Sequence, residues 1–372
     1  MELPSRPRLL LGPGPSPVSP RVLAALSAAP RSHLDGDLLA LLDAIRARLT
    51  DVFRTTAASR VLAVSGTGTA AMEAAVANVT ESGRSALVIV TGYFGERLAD
   101  MLARYGAAVR RLDVEWGRAV DPDDVRRALD AHDVDLVAIV HAETSTGVLN
   151  PVREIAALAA PRGALTIADT VTSLGAMPVE MDAWGVDVCY ACSQKGLGAP
   201  PGLSPIAFSP RALDRRVACR SFYFDLDLLE RYWVERQYHH TISAPLVYAL
   251  HAALEDVEDE GLEARWQRHA RVHVALVDEL RPLDMTLLPP PGERLWCLNA
   301  VQVPPGVDEA AVRRRLLEHD DIEIGAGLAA LAGRVWRIGL MGAGATEANV
   351  TRVTAALAEA IRETPPVASG PR

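Results

Sequence analysis

Lysine is all but missing from this chain. Its 372 residues hold 38 lysines and arginines, and one of these, Lys195, is a lysine. Other absences narrow the function before any motif is read. The net charge is −9, which argues against a nucleic-acid-binding surface. No apolar run approaches the length of a membrane span. The opening "MELPSRPRLLLGPGPSPVSP" has no apolar core of a secretory signal, and the closing "PPVASGPR" reads as a frayed tail without a retention signal. A soluble, cytoplasmic protein is expected. Four cysteines are present. Cys189 and Cys192 form a C-x-x-C pair, but no second close pair completes a zinc site, so they read as small apolar residues at the end of a buried strand. No metal is expected.

The rest of the sequence alternates strand-like and helix-like stretches. Asp37–Phe53 carries apolar residues at helical spacing. "RVLAVSG", "SALVIVTG", "DLVAIV", "ALTIAD" and "VDVCYAC" read as short buried strands. Helices are expected over "AAMEAAVANV", "DPDDVRRALDAH" and "VREIAALAA", the second with Asp121 as N-cap and Pro122 at the first helical position. Near-continuous apolar strands separated by helices indicate an α/β protein with a mainly parallel, doubly wound sheet. After about Gly261 the pattern changes to a long helix, a Pro-rich turn, short strands and a final helix from Glu347. The expected organisation is an N-terminal arm (1–20), a large domain (21–260) and a smaller α+β domain (261–372).

Three stretches carry chemistry. In "AVSGTGTAAMEAA" a strand runs through Gly66, Thr67 and Gly68 into a helix, and free N–H groups at a helix N-terminus bind anions. The stretch also fits G-x-G-x-x-A, the dinucleotide pattern. That reading wants an acid at the tip of the second strand, and "VIVTG" has none. In "ALTIADTVTSLG", Asp169 ends a buried strand at the carboxyl edge of the sheet, where open α/β folds bind ligands. The third stretch is "YACSQKGLGAPPGLSPIAF". Arginine can replace lysine where only charge is needed. It cannot where an amine must lose its proton, because guanidinium stays protonated. Schiff-base chemistry with a carbonyl needs such an amine. A phosphate cradle, a buried carboxylate and a Schiff-base lysine are together what pyridoxal 5′-phosphate requires.

With those stretches, "GPGPSPVSPRVL", "HAETSTGVLNP", "YHHTIS" and "RIGLMG" give the chain a resemblance, over nearly its whole length, to the class V aminotransferases of the fold-type I pyridoxal-phosphate enzymes. The alanine–glyoxylate and serine–pyruvate group is the most similar branch. The resemblance implies Lys195 as the Schiff-base lysine and Asp169 as partner of the pyridine nitrogen. It implies Thr67, Gly68, Thr69 and Gln194 around the phosphate and Thr144 toward the ring oxygen. Val171 is implied on one ring face and Phe94 on the other, where this group often carries tryptophan. Tyr238 and Thr241 match positions that reach the phosphate of the other subunit, which implies a homodimer with shared sites. Arg337 matches the arginine that clamps the substrate carboxylate, a role suited to its planar fork.

The implied reaction is ping-pong transamination between a small amino acid, alanine or serine, and a small 2-oxo acid, glyoxylate or pyruvate. One carboxylate clamp without an obvious second arginine motif fits small substrates. Alternatives are another small amine donor such as ureidoglycine, whose branch carries Asn where this chain has Tyr238, and a class V lyase. A sulfur-removing lyase needs a nucleophilic cysteine on a mobile loop; no cysteine shows that setting, and Cys219 is the one the sequence leaves open. A nicotinamide-dependent reductase lacks its acid, and a cofactor-binding regulator lacks a fused basic DNA-binding module.

Overall fold

The computed structural model describes residues 7–364; the tail "PPVASGPR" lies outside the described residues. A seven-stranded sheet organises the larger part of the chain. Its strands are β1 (Arg60–Gly66), β2 (Ser85–Val90), β3 (Ala108–Asp113), β4 (Leu136–Val140), β5 (Leu165–Asp169), β6 (Val188–Tyr190) and β7 (Gly202–Phe208). They lie in the order β1-β7-β6-β5-β4-β2-β3. From β6 to β3 all neighbours pair in parallel, while β7 runs antiparallel to both β1 and β6. The expected mainly parallel α/β sheet is therefore what forms.

Every residue of β4 and β5 is buried, so both of their faces are covered by packed elements and their sequences show no polar alternation. Edge strand β3 is the opposite case. Its sequence "AVRRLD" leaves Arg110 and Arg111 exposed, and charge on an edge discourages pairing with another chain. Helices Gly36–Val52, Gly68–Val79 and Ala244–Glu260 supply much of the apolar cluster packed on this sheet. The helix foreseen at Pro122 runs Pro122–Ala131, and the Asp121 side chain accepts from Asp123 N as its cap.

A second, antiparallel sheet holds β8 (Leu298–Gln302), β9 (Gly325–Ala326) and β10 (Val335–Gly339), in the order β8-β10-β9. Helices Leu262–Leu280, Glu309–His319 and Glu347–Glu363 pack with it around Trp336, Val272 and Val353. Leu11 of the arm belongs to this second cluster. The short strand-like stretch "IEIG" serves two sheets. Ile322–Glu323 pairs in parallel with Leu9–Leu10 of the arm, and Gly325–Ala326 joins β10. Among the described residues no helix is long and apolar enough to cross a membrane.

Candidate active site

Strands β1, β4, β5 and β6 point their carboxyl ends to one edge of the sheet, the edge where open α/β sheets bind ligands. A cleft with about 160 Å³ of internal space opens there. Its lining includes Thr67, Gly68, Thr69, Phe94, Thr144, Asp169, Val171, Gln194 and Lys195. These come from stretches far apart in sequence, and the sheet edge gathers them.

The anion cradle forms where β1 turns into helix Gly68–Val79. Thr67 is the N-cap residue and its hydroxyl makes no capping bond. Ala70 N and Ala71 N turn back to Thr67 O, so it is that hydroxyl and the N–H groups of Gly68 and Thr69, at the very start of the helix, that are open to an anion. Gly68 is needed for close approach: a Cβ there would sit 3.1 Å from Val171 Cγ2, pressing the helix off the loop that follows Asp169. Gln194 faces the same cleft and its buried Oε1 has no hydrogen-bond partner.

Asp169 closes β5 with 3% of its surface exposed. Its carboxylate accepts from Val171 N at 2.9 Å. Burial pushes the carboxyl up to about 7, while the Val171 hydrogen bond pulls the other way. The Tyr190 side chain, opposite in register on β6, interacts electrostatically with it, yet its buried hydroxyl makes no hydrogen bond of ordinary geometry. A buried carboxylate held this high is set to gain from a cationic partner.

Lys195 sits in the loop between β6 and β7. Burial holds its amine below the usual lysine range, and Arg337 lowers it further. The loop is fixed from below by Arg265, which donates from Nε to Gly175 O at 3.1 Å and from Nη2 to Gly196 O at 2.9 Å. From the arm, Ser16 N donates to Gln194 O at 2.9 Å and Ser16 Oγ to Lys195 O at 2.8 Å. The Lys195 amine itself donates to Pro13 O.

Phe94 lies in the first turn of helix Tyr93–Arg104. Buried Glu143 binds that helix end, accepting from Phe94 N at 3.2 Å and Gly95 N at 3.1 Å. Through these contacts Glu143 fixes the placement of Phe94. A residue missed from sequence is Arg97. It lines the cleft, donates to Thr69 Oγ1 at 3.1 Å and places its guanidinium 5.2 Å over the Phe94 ring. Only its helical offset from Phe94, one turn on, could have signalled it.

Arg337 lies on β10, 7% exposed, just outside the residues that line the cleft. It donates from Nε to Ala326 O at 2.6 Å and reaches Thr144 O from Nη1 at 3.5 Å. Burial lowers its guanidinium to about 10, with Glu143 opposing. Tyr238 and Thr241 do not join the cleft. Both are exposed, Tyr238 to 62%. Cys189, Cys192 and Cys297 are buried and Cys219 is partly exposed, and none of the four lines the cleft; burial pushes the Cys192 thiol up to about 12, far from a nucleophilic thiolate.

A group with a phosphate, a cationic ring nitrogen and an aldehyde would meet a matching partner at each point: the Thr67 turn with unpartnered Gln194, raised Asp169, and the single lysine. That geometry is suited to an enzyme working with pyridoxal 5′-phosphate. The family model for aminotransferase class-V matches residues 10–353, and the chain belongs to that family of pyridoxal-phosphate-dependent transaminases. It is 37% identical to the alanine–glyoxylate aminotransferase of Drosophila melanogaster, over 95% of this chain and 92% of that protein. It is 34% identical to the (S)-ureidoglycine–glyoxylate transaminase of Bacillus subtilis, over 94% and 89%. The solved alanine–glyoxylate aminotransferase from Nostoc sp. superposes with a TM-score of 0.94 at 46% identity, covering 97% of each chain.

Proposed function

We propose that this enzyme moves the amino group of alanine or serine to glyoxylate or pyruvate. The observation that carries the reading is Arg337, a buried guanidinium beside Thr144 at the cleft, able to receive one carboxylate in its fork. Arg97, the other arginine at the cleft, is engaged by the Thr69 hydroxyl and the Phe94 ring, which leaves it poorly placed for a second substrate carboxylate. The names of the two alanine–glyoxylate aminotransferases point the same way.

Bound pyridoxal 5′-phosphate supplies a carbonyl that takes the amino group and a ring that accepts electrons. The protein supplies the rest. The Thr67–Thr69 turn and Gln194 would hold the phosphate. Asp169, ionised, would keep the ring nitrogen protonated. Val171 and Phe94 would pack on the ring, and the Thr144 hydroxyl would serve the ring oxygen. Lys195 Nζ, shifted by burial toward its neutral form, takes the substrate α-proton and returns it.

The reading includes a cytoplasmic homodimer. Free cysteines suit a reducing compartment. Phe222, Tyr223 and Val234 are 71%, 40% and 40% exposed in the segment that leads to Tyr238, and such apolar surface suits burial against a second copy. From there Tyr238 and Thr241 would reach the partner's phosphate. The organisation into arm, large domain and small domain at residues 20 and 260 is part of the same reading, supported by the two separate apolar clusters.

The test is a panel of alanine, serine, aspartate and an alkyl amine as donors, against glyoxylate and pyruvate. Alanine and serine are expected to lead. An alkyl amine reacting as fast as alanine would reject the carboxylate clamp and leave an amine transaminase.

A further inference from the structure

Two parts of the molecule that act on the substrate in this reading, Lys195 and Arg337, sit on different elements. One segment touches both elements. Residues 9–16 of the arm pair first with the small unit: Leu9 N donates to Asp321 O at 2.8 Å, Leu11 N to Glu323 O at 2.8 Å, and Gly339 N, at the end of Arg337's strand, donates to Leu11 O at 2.7 Å. The arm then crosses to the lysine loop. Ser16 holds that loop through Gln194 O and Lys195 O, and Pro13 O receives the Lys195 amine.

The fit at the crossing is tight on both sides. Gly14 has φ +117°, a conformation that side chains disfavour, and a Cβ on it would lie 2.6 Å from Lys195 Nζ and 2.7 Å from Cδ and Cε. On the opposite side a Cβ on Gly325 would lie 2.4 Å from Pro13 Cδ. Gly325 is the register partner of Arg337. The arm thus fills the space between the strand of Arg337 and the lysine side chain, with no room for a methyl group on either face.

We propose that Pro13 and Gly14 form a positioning element for Lys195: the Pro13 carbonyl takes the free amine, Gly14 makes room for the lysine stem, and the arm sets the amine's place relative to the strand of Arg337. The meaning of this for catalysis rests on the proposed role of Lys195. The positioning itself does not, and is open to direct measurement.

Because Lys195 is the only lysine, an amine-acylating reagent can mark only Lys195 and the chain terminus, and peptide mass spectrometry separates the two. The measurement is the acylation rate at Lys195 in the full chain freed of cofactor, followed over pH. Groups acting on the amine are Cys192, Arg337, Cys297 and Asp169, all retained in the variants. Gly14→Ala on the lysine side and Gly325→Ala on the small-unit side should each release the amine from Pro13 and speed labelling about tenfold, the worth of one charge-assisted hydrogen bond. Circular dichroism checks the fold, and Ser16→Ala, which removes only a hydroxyl, replaces a variant that does not fold and should speed labelling about threefold, as loss of an ordinary hydrogen bond would. Folded variants that label at the parental rate or slower overturn the proposal. That result would leave transamination untouched, since turnover is not read.

Discussion

Arg97 Nη1 donates to Thr69 Oγ1 at 3.1 Å while its guanidinium lies 5.2 Å from the Phe94 ring centre. One side chain therefore links Thr69 at the helix start to the Phe94 ring across the cleft. With Thr69 Oγ1 accepting from Arg97, the hydroxyl proton is directed away from Arg97 and can serve the phosphate. The smaller phenyl, in place of an indole, is held by a cation on its face. Arg97→Ala should raise the Kd for pyridoxal 5′-phosphate about tenfold, given ~1.5–3 kcal/mol for a charged hydrogen bond of which part is recovered by water. Absorbance titration of cofactor-free protein reads it. An unchanged Kd would remove Arg97 from the cradle.

Lys195→Arg should abolish transamination with the fold intact, because arginine keeps the charge but offers no amine that can lose its proton. Borohydride reduction of the parent should fix the cofactor on the Lys195 peptide alone. Label recovered solely at the chain terminus would contradict the assignment.

Asp169 predicts a pH dependence. Its carboxyl is raised by burial from the ordinary 3.8 to about 7, so between these values the folded, cofactor-free protein binds a proton that the unfolded chain does not. The Asp169 contribution to stability is therefore fullest below pH ~4 and is lost as pH rises toward ~7. Asp169→Asn should flatten this part of the Tm-versus-pH curve, and the difference between the two curves isolates it from Glu143, which burial also raises. In the loaded enzyme, Asp169→Ala should cut turnover at least ~10²-fold by removing a placed electrostatic partner. Near-normal turnover would take Asp169 out of the site.

Arg337→Ala should raise KM for amino acid and keto acid together, by about 2–5 kcal/mol, the cost of truncating one partner of a desolvated charge pair. Cofactor affinity should barely move, since the phosphate would be held by the Thr67–Thr69 turn and not by Arg337. A KM effect on only one of the two substrates would argue against a shared clamp.

Tyr238 gives a prediction about assembly. Tyr238→Ala should weaken cofactor binding, and mixing it with Lys195→Arg should restore function, because one of the two sites in a hybrid dimer then has both residues intact. Light scattering should give the mass of a dimer. A monomer, or a hybrid without recovery, would reject the shared site.

What was legible in the sequence was what depends on local pattern. β1, β4 and β5 announced themselves as apolar runs, and the turn at Gly68 and the acid at Asp169 followed from where those runs stop. Lys195 stood out by composition. β7 was hidden because Pro205 stands in its middle, and proline argues against an interior strand. The structure accommodates it: β7 pairs with β6 only over Ile206–Phe208, and Pro205 needs only its carbonyl, which accepts from Ala191 N. Arg97 and Glu143 were not legible as site residues because their roles depend on contacts across helix and strand. The arm strand Leu9–Leu10 could not be read either, since its partner lies at the far end of the chain.

That pairing has a consequence for how the enzyme is made. The arm is synthesised long before its strand partner Ile322–Glu323 leaves the ribosome. Until then the large sheet can form with Lys195 in its loop, and only the Ser16 end of the arm is tied to that loop. A chain stalled before Ile322 would carry a cradle, a carboxylate and a lysine, with the arm fastened at its Ser16 end and not at Leu9–Leu10. Contacts this distant in sequence also form slowly, so the last event of folding would be the one that sets the amine.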